Sequence, residues 1–180
     1  MNRHYREIRG KRDEEGSPMM NTTNAVRRVV VGVNGSVGSS RALRRAADEA
    51  RRHHAQLCPV MIYSSPQGDY IDMLWPPDAE TEHELASDAR HRLAGICHRV
   101  LDEQGDDPCC APVVARGPVG PLLVQAADHD GDLLVIGGGS RGMLSRLISG
   151  SVGRYCVRHA EGPVLVVPDE ESADEASAAA

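Results

Sequence analysis

Five short apolar runs divide this chain, and segments with helical periodicity lie between them. Runs rich in Val, Leu and Ile and bounded by Gly or Pro are typical of buried strands. Strands that alternate with helices favour a parallel sheet, because each helix returns the chain to the edge where the next strand begins. The predicted strands span residues 27–33, 57–63, 109–116, 132–137 and 162–167.

Four amphipathic segments predict the intervening helices, and right-handed crossovers then give an α/β fold. The result is a single Rossmann-like domain with an open, doubly wound sheet of five parallel strands and helices on both faces. The predicted helices span residues 41–55, about 79–104, 121–130 and 151–160. The residues predicted to face inward from the first two are Ala42, Ala46, Ala47, Ala50, Leu85, Ala89, Leu93, Ile96 and Val100.

The composition agrees with such a core. Aromatic residues make up only 3% of the 180 residues and Phe is absent, so the core must be aliphatic, which suits a parallel sheet covered on both faces. A hydrophobic fraction of 41% over this length is enough for one domain. We predict a disordered leader over residues 1–25, the domain over 26–168 and an acidic, disordered tail over 169–180.

Charge and hydropathy argue against several classes of partner. The net charge is −6, and the tail holds five acids and no base, so we expect no nucleic-acid binding. No apolar run is long enough to cross a bilayer, and the first residues lack the apolar stretch of a signal peptide. The five cysteines lack CxxC spacing, which indicates reduced thiols rather than a metal site. We therefore expect a cytoplasmic protein without membrane contact.

Two glycine clusters directly follow predicted strands, GVNGSVGSS at 32–40 and GGGSRGMLSRLISGSVG at 137–153. Glycine lets backbone amides approach a ligand, and Gly150 and Ser151, before a helix, present free N–H groups and the positive end of the helix dipole. If the first and fourth strands are neighbours, both clusters line one crevice that suits a phosphate. The alternative is that these glycines only make tight strand-to-helix turns.

Familiar nucleotide-dependent enzymes do not fit these clusters. The only lysine is Lys11, so a P-loop is excluded, and the spacing of Gly32, Gly35 and Gly38 is not that of the dinucleotide fingerprint. An ATP pyrophosphatase-like transferase would carry S-G-G-x-D-S after the first strand, which is absent. No nucleophile and base are paired in the pattern. We predict no dedicated catalytic site and at most slow ATP hydrolysis.

Three segments, taken in order and spacing, resemble the universal stress protein (UspA-like) family over roughly residues 26–168. They are VVVGVNGSVGSSRALRRAADEA, LLVIGGGSRGMLSRLISGSVG and RHAEGPVLVV. The ATP-binding branch of that family carries G-x2-G-x9-G-[ST] after its fourth strand. Here Gly137, Ser140, Gly150 and Ser151 stand at those positions. The resemblance implies the strand order 3-2-1-4-5 and a stress-response regulatory domain that binds ATP or another adenine nucleotide.

The resemblance also implies roles for individual residues. Val33 and Asn34 would flank the adenosine, and Ile62 would pack on the adenine. Ile136 and Gly137 would form the floor of the site. The phosphates would be contacted by Ser140, Gly150, Ser151, Val152 and Gly153.

Two positions depart from the family pattern. Asn34 stands where ATP-binding members resemble V-D-G-S, and Ser140 stands where they prefer Gly. An amide still hydrogen-bonds but holds a metal ion less well than a carboxylate does, so a role for Mg²⁺ stays open. The alternative function is a nucleotide-free member of the family that acts as a protein-interaction module.

A homodimer through the final strand, Pro163 to Val167, is a further implication of the resemblance. The strand is short and apolar, and in the implied order it lies at a sheet edge that can template pairing with a second chain. The alternative is a monomer in which Pro168 and the acidic tail protect that edge.

Overall fold

The computed structural model describes residues 25–64, 74–101, 111–138 and 151–168. They form one parallel sheet with the strand order β3-β2-β1-β4-β5. The doubly wound α/β fold and the implied strand order are therefore confirmed. The strands are β1 (Arg28–Gly32), β2 (Gln56–Tyr63), β3 (Val113–Arg116), β4 (Asp132–Gly137) and β5 (Val164–Val167). The helices are α1 (Val37–His53), α2 (Ala79–Leu101), α3 (Val119–Ala126) and α4 (Ser151–His159).

The two central strands, β1 and β4, are the most buried part of the molecule. They run in parallel register from Arg28 beside Asp132 to Val31 beside Val135. Side chains alternate between the faces of a strand, so Val29 and Val31 pack toward α1 and α2, whereas Val30 packs toward α3 and α4. The core therefore has two layers, one on each face of the sheet.

Helix α1 begins at Val37, four residues before the predicted start. Ser36 is the reason, because its hydroxyl accepts the N–H of Ser39 at 3.2 Å and caps the helix. The helix ends at His53, after which His54 adopts a left-handed conformation with φ 51°. The four alanines predicted to face inward are buried.

Helix α2 buries a stripe that differs slightly from the predicted one. Leu85 is only half-buried, and Ala86 is the buried residue in that turn. The other four predicted positions, Ala89, Leu93, Ile96 and Val100, are buried. Asp78 precedes the helix and its carboxylate accepts the N–H of Thr81 at 2.8 Å, which lowers the pKa of Asp78.

The two edge strands are shorter than the pattern predicted. β3 begins at Val113, and part of the predicted run, residues 109 and 110, lies outside the described residues. β5 begins only after Pro163. Helix α3 ends at Ala126 rather than residue 130, because the chain turns through Gly131, whose φ is +86°, to enter β4.

The predicted leader, apart from Ala25, and the predicted tail lie outside the described residues. Within the described ranges, no helix is both long and apolar enough to span a membrane. The three cysteines described, Cys58, Cys97 and Cys156, are buried and take part in no disulfide bond. Burial raises the pKa of the Cys156 thiol.

An ion pair links β1 and β4 at the amino edge of the sheet. The Arg28 guanidinium donates from both Nε and Nη2 to the Asp132 carboxylate, and Nη2 also donates to the carbonyl of Ala126 at 2.8 Å. The Asp132 side chain is 2% exposed and also accepts the N–H of His129 at 3.0 Å. These bonds raise the pKa of Arg28, and they fix the strand register at the edge opposite the glycine clusters.

Candidate functional site

The carboxyl ends of β1 and β4 lie side by side and form the candidate site. β1 pairs with β2 on one side and with β4 on the other, so the strand order reverses between β1 and β4. Ligands of open α/β sheets bind outside the carboxyl ends of the strands at such a switch point. The structure thus brings the starts of both predicted glycine clusters together.

The two clusters meet through bare backbone. A Cβ placed on Gly137, at the end of β4, would lie 2.7 Å from the carbonyl oxygen and 2.8 Å from the carbonyl carbon of Gly38 in α1. Real Cβ atoms do not approach backbone so closely. Gly137 therefore allows the first turn of α1 to rest directly on the end of β4.

The loop from β1 to α1 is held by its own polar groups. The Oδ1 atom of Asn34 accepts the N–H of Ser36 at 3.0 Å, and Gly35 has a φ of +84° that a side chain would strain. Asn34 is exposed, as a ligand contact requires. Val33 is only 3% exposed and its side chain lies in the core, so only its backbone can face a ligand.

Three predicted apolar contacts share one face of the sheet. Ile136 of β4 belongs to the buried cluster on that face, and Ile62 of β2 and Val152 of α4 pack against it half-buried. A Cβ on Gly153 would lie 3.8 Å from Cδ1 of Ile136, so the first turn of α4 adjoins the end of β4. The structure therefore brings Ile136, Val152 and Gly153 together.

The N-terminus of α4 contributes positive electrostatic potential to the site. Ser151 is the exposed first residue of this nine-residue helix, and the described first turn contains no acidic side chain. The positive end of its dipole and the N–H groups of its first turn favour an anion. Ser140 and Gly150, both predicted to contact phosphate, lie outside the described residues. Among the described residues, no group of three or more His, Cys, Asp or Glu side chains could hold a metal ion.

A polar cluster next to Ile62 was not predicted from the sequence. Tyr63 ends β2 and donates its hydroxyl hydrogen to Oε1 of Glu82 at 3.3 Å, while Oε2 of Glu82 lies 2.8 Å from Nε of Arg116. Burial, and next the Glu82 charge, raise the pKa of Tyr63 to about 12. The cluster joins β2, α2 and β3 at the carboxyl edge. Its members are distant in the sequence, and only the pairing of β2 with β3 could have indicated it.

The fold and this crevice define the chain as a doubly wound α/β domain with a glycine-lined cleft at the switch point. A sequence model of the universal stress protein family matches residues 25–168. The chain belongs to the universal stress protein family.

Several curated relatives come from mycobacteria. Universal stress protein Rv1996 of Mycobacterium tuberculosis is 28% identical over 153 residues, which cover 79% of this chain and 48% of the relative. Universal stress protein Rv2623 of the same species is 30% identical over 139 residues, covering 77% and 44%. The chain thus spans about half the length of the curated relatives it matches.

Solved structures share the fold over nearly their whole length. UspA from Lactobacillus plantarum has a TM-score of 0.58 at 22% identity, with 81% of this chain and 99% of that chain covered. A universal stress protein in complex with cAMP has a TM-score of 0.56 at 24% identity, with 79% and 97% covered.

Replacing Gly137 with Ala should destabilise the domain, because the new Cβ would overlap the backbone of Gly38 rather than a side chain that can move. Overpacking of this kind costs about 1–3 kcal/mol in the free energy of unfolding. Urea denaturation followed by circular dichroism measures it.

Gly153→Ala is the matched control, because its nearest neighbour would be 3.8 Å away and Ala favours a helix. Equal stability of the two variants would contradict the close approach of β4 to α1.

Proposed function

We propose that this chain is a homodimeric stress-response regulator of the cytoplasm that binds ATP and has no dedicated catalytic site. The observation that carries the proposal is the meeting of three elements at one crevice: the β1–α1 loop, the end of β4 and the N-terminus of α4. Each presents backbone or small residues rather than bulky side chains. This is the chemistry that phosphate binding requires.

The proposed ligand has an apolar and an anionic end, and the crevice offers a surface for each. Ile62 is half-exposed at the end of β2 and would pack on the adenine, while the first turn of α4 would hold the phosphates. A universal stress protein of similar fold contains cAMP, which supports an adenine nucleotide as the class of ligand. The glycine spacing of the second cluster favours ATP. We assign no ligand to Mg²⁺, because Asn34 offers an amide.

The described part of the crevice supplies hydroxyls, an amide and backbone groups. Asn34, Ser36 and Ser39 hydrogen-bond with one another through the loop, and none of them acts as a general base near neutral pH. The proposed activity is therefore nucleotide binding, with at most slow hydrolysis.

A carboxylate placed at the start of α4 should abolish most nucleotide binding. Gly153→Asp puts a negative charge beside the proposed phosphate site, where it also stabilises the helix terminus, and its Cβ would make only an ordinary van der Waals contact with Ile136. We expect the affinity for ATP to fall about tenfold, or by roughly 1.4 kcal/mol, in equilibrium dialysis with labelled nucleotide.

Gly153→Asn is nearly isosteric and uncharged, and it should retain much more of the affinity. The proposal fails if the unchanged protein binds no ATP at millimolar concentration, or if the Asp and Asn variants bind equally.

One observation favours the second candidate function, a nucleotide-free interaction module. Oδ1 of Asn34 is already engaged by the N–H of Ser36 at 3.0 Å within its own loop. If this departure and Ser140 have removed nucleotide binding, the double variant Asn34→Asp, Ser140→Gly should bind ATP where the unchanged protein does not. Calorimetric titration of both proteins with ATP separates the two functions. If the unchanged protein already binds ATP, the double variant should gain only modestly in affinity.

The partial exposure of β5 supports the homodimer. Its four residues are all only half-buried, although each is apolar. The carbonyl of Pro163 accepts the N–H of Leu134 in β4 at 3.0 Å, and that of Val167 accepts the N–H of Gly138, just after β4, at 2.8 Å. Alternation along the strand therefore turns the N–H and C=O of Val164 and Val166 to the outer edge. Pairing with a second copy would satisfy those groups and bury the apolar side chains.

Val166→Pro should convert the dimer to a monomer, because it removes an outward N–H without removing a bond to β4. Native mass spectrometry should show 19.4 kDa in place of twice that mass. Val166→Thr keeps the N–H and the branched shape, and it should remain dimeric. A Pro variant that is still dimeric would place the interface on another surface.

A further inference from the structure

The exposed edge of β5 is too small to hold a dimer together by itself. β5 has four residues, so the edge is about 13 Å long, and a strip about 10 Å wide along it covers about 130 Å². Stable protein interfaces bury about 800 Å² on each partner. A dimer that forms through this edge must therefore include surface from the helices beside β5.

Helix α4 lies beside β5 on one face of the sheet. Cys156 of α4 and Leu123 of α3 belong to the same buried cluster, so both helices cover that face. α3 lies over β1, because a Cβ on Gly32 would lie 3.1 Å from Cδ1 of Leu123. α4 lies over β4, because Gly153 adjoins Ile136. The side of α4 away from α3 is therefore the side of β5 and its outer edge.

Val157 lies on that side of α4. Successive residues of an α-helix are about 100° apart, so Tyr155 and Val157 flank the buried Cys156 on opposite sides. Tyr155 packs on Gly120 of α3. Val157 therefore points away from α3 and toward the edge, and its side chain is exposed.

Val157 is level with Val164 of β5. It comes four residues after Gly153, or about 6 Å along a helix that runs back toward the amino edge. About 6 Å corresponds to two residues of a strand, which leads from Ile136 to Leu134 in β4. Leu134 pairs with Val164, which is half-buried on the α4 face of the sheet. The two valines therefore form one apolar strip at the edge.

Charged side chains make the two faces beside β5 unequal. On the α1 face, the described residues of α1 that are exposed after Val37 are all basic: Arg45, Arg52 and His53. Covering them would take charge out of water, which costs free energy. On the α4 face, Arg154 and Arg158 each lie two residues from Cys156, about 160° around the helix and so on its outer side. The α4 side of β5 is therefore the one that an apolar surface can cover.

We propose that the dimer interface extends from β5 onto α4, with Val157 as its apolar anchor. This inference rests on the proposed homodimer. Antiparallel pairing of Val164 with Val166 of the partner subunit uses the outward groups of both strands and centres the two-fold axis on Leu165. Both copies use the same surface, so α4 packs across the axis against α4 of the second copy. The two Val157 side chains fill the space above the paired strands.

The test is the dissociation constant of the dimer, measured by sedimentation equilibrium over a range of protein concentrations. Val157→Asp places two carboxylates opposite each other across the axis, so the dissociation constant should rise at least about tenfold. Circular dichroism of the variant should match that of the unchanged protein, because residue 157 is exposed in the single chain.

Val119→Asp is the matched control. Val119 is the first residue of α3 and is 40% exposed, close to the 44% of Val157, but α4 separates α3 from β5. The same change there should leave the dissociation constant within about twofold of the original.

A charge exchange tests the position of α4 directly. Val157→Arg alone should dimerise as poorly as Val157→Asp, whereas a mixture of the two variants should form the heterodimer, since opposite charges then face each other. Native mass spectrometry distinguishes the heterodimer by its mass.

The α4 contact is wrong if Val157→Asp leaves the dissociation constant unchanged, or if Val119→Asp raises it equally. A dimer that survives Val157→Asp but not Val166→Pro retains the proposed β5 pairing and overturns only the α4 contact. A dimer that survives Val166→Pro but not Val157→Asp supports the α4 contact and overturns the β5 pairing. An unchanged protein that is monomeric at millimolar concentration contradicts both.

Discussion

The contact between the ends of β4 and α1 is the constraint on which the site depends. Gly137 has no side chain, so the backbone of Gly38 lies where a Cβ would otherwise be. This contact sets the distance between the β1–α1 loop, which precedes Gly38, and the start of α4, which adjoins Ile136. The crevice lies between two loops from opposite halves of a doubly wound sheet, so that distance fixes its width.

Charge is separated between the two edges of the sheet. At the amino edge, Asp132 is neutralised by Arg28, and a cavity of about 170 Å³ is lined by further acids of the α3–β4 and α4–β5 connections. At the carboxyl edge, the first turns of α1 and α4 contain no acid, and Glu82 is paired with Arg116. Beside the crevice, the helix dipoles therefore favour an anion.

The sequence predicts the strands and helices of this molecule better than it predicts where they begin and which side chains meet. Continuous aliphatic runs predicted β1 and β4. Such runs are typical of strands that are buried on both faces. The start of α1 is set by the cap at Ser36. Hydrophobic periodicity does not indicate a cap, although serine is a residue type that favours this position. Placing Val33 in the core and joining Tyr63 to Glu82 and Arg116 required knowing which strands pair. Such long-range contacts leave no mark on local spacing.

Helix α4 carries its N-terminus to the crevice, but its position is fixed on its other side. A Cβ on Gly120 in α3 would lie 2.9 Å from the ring of Tyr155, so the aromatic ring rests directly on the backbone of α3 and stacks on His159. Any enlargement at residue 120 must push α4 or rotate that ring. Under the proposed function, a change at residue 120 would alter anion binding from outside the crevice, so the affinity could vary while the binding residues stay the same.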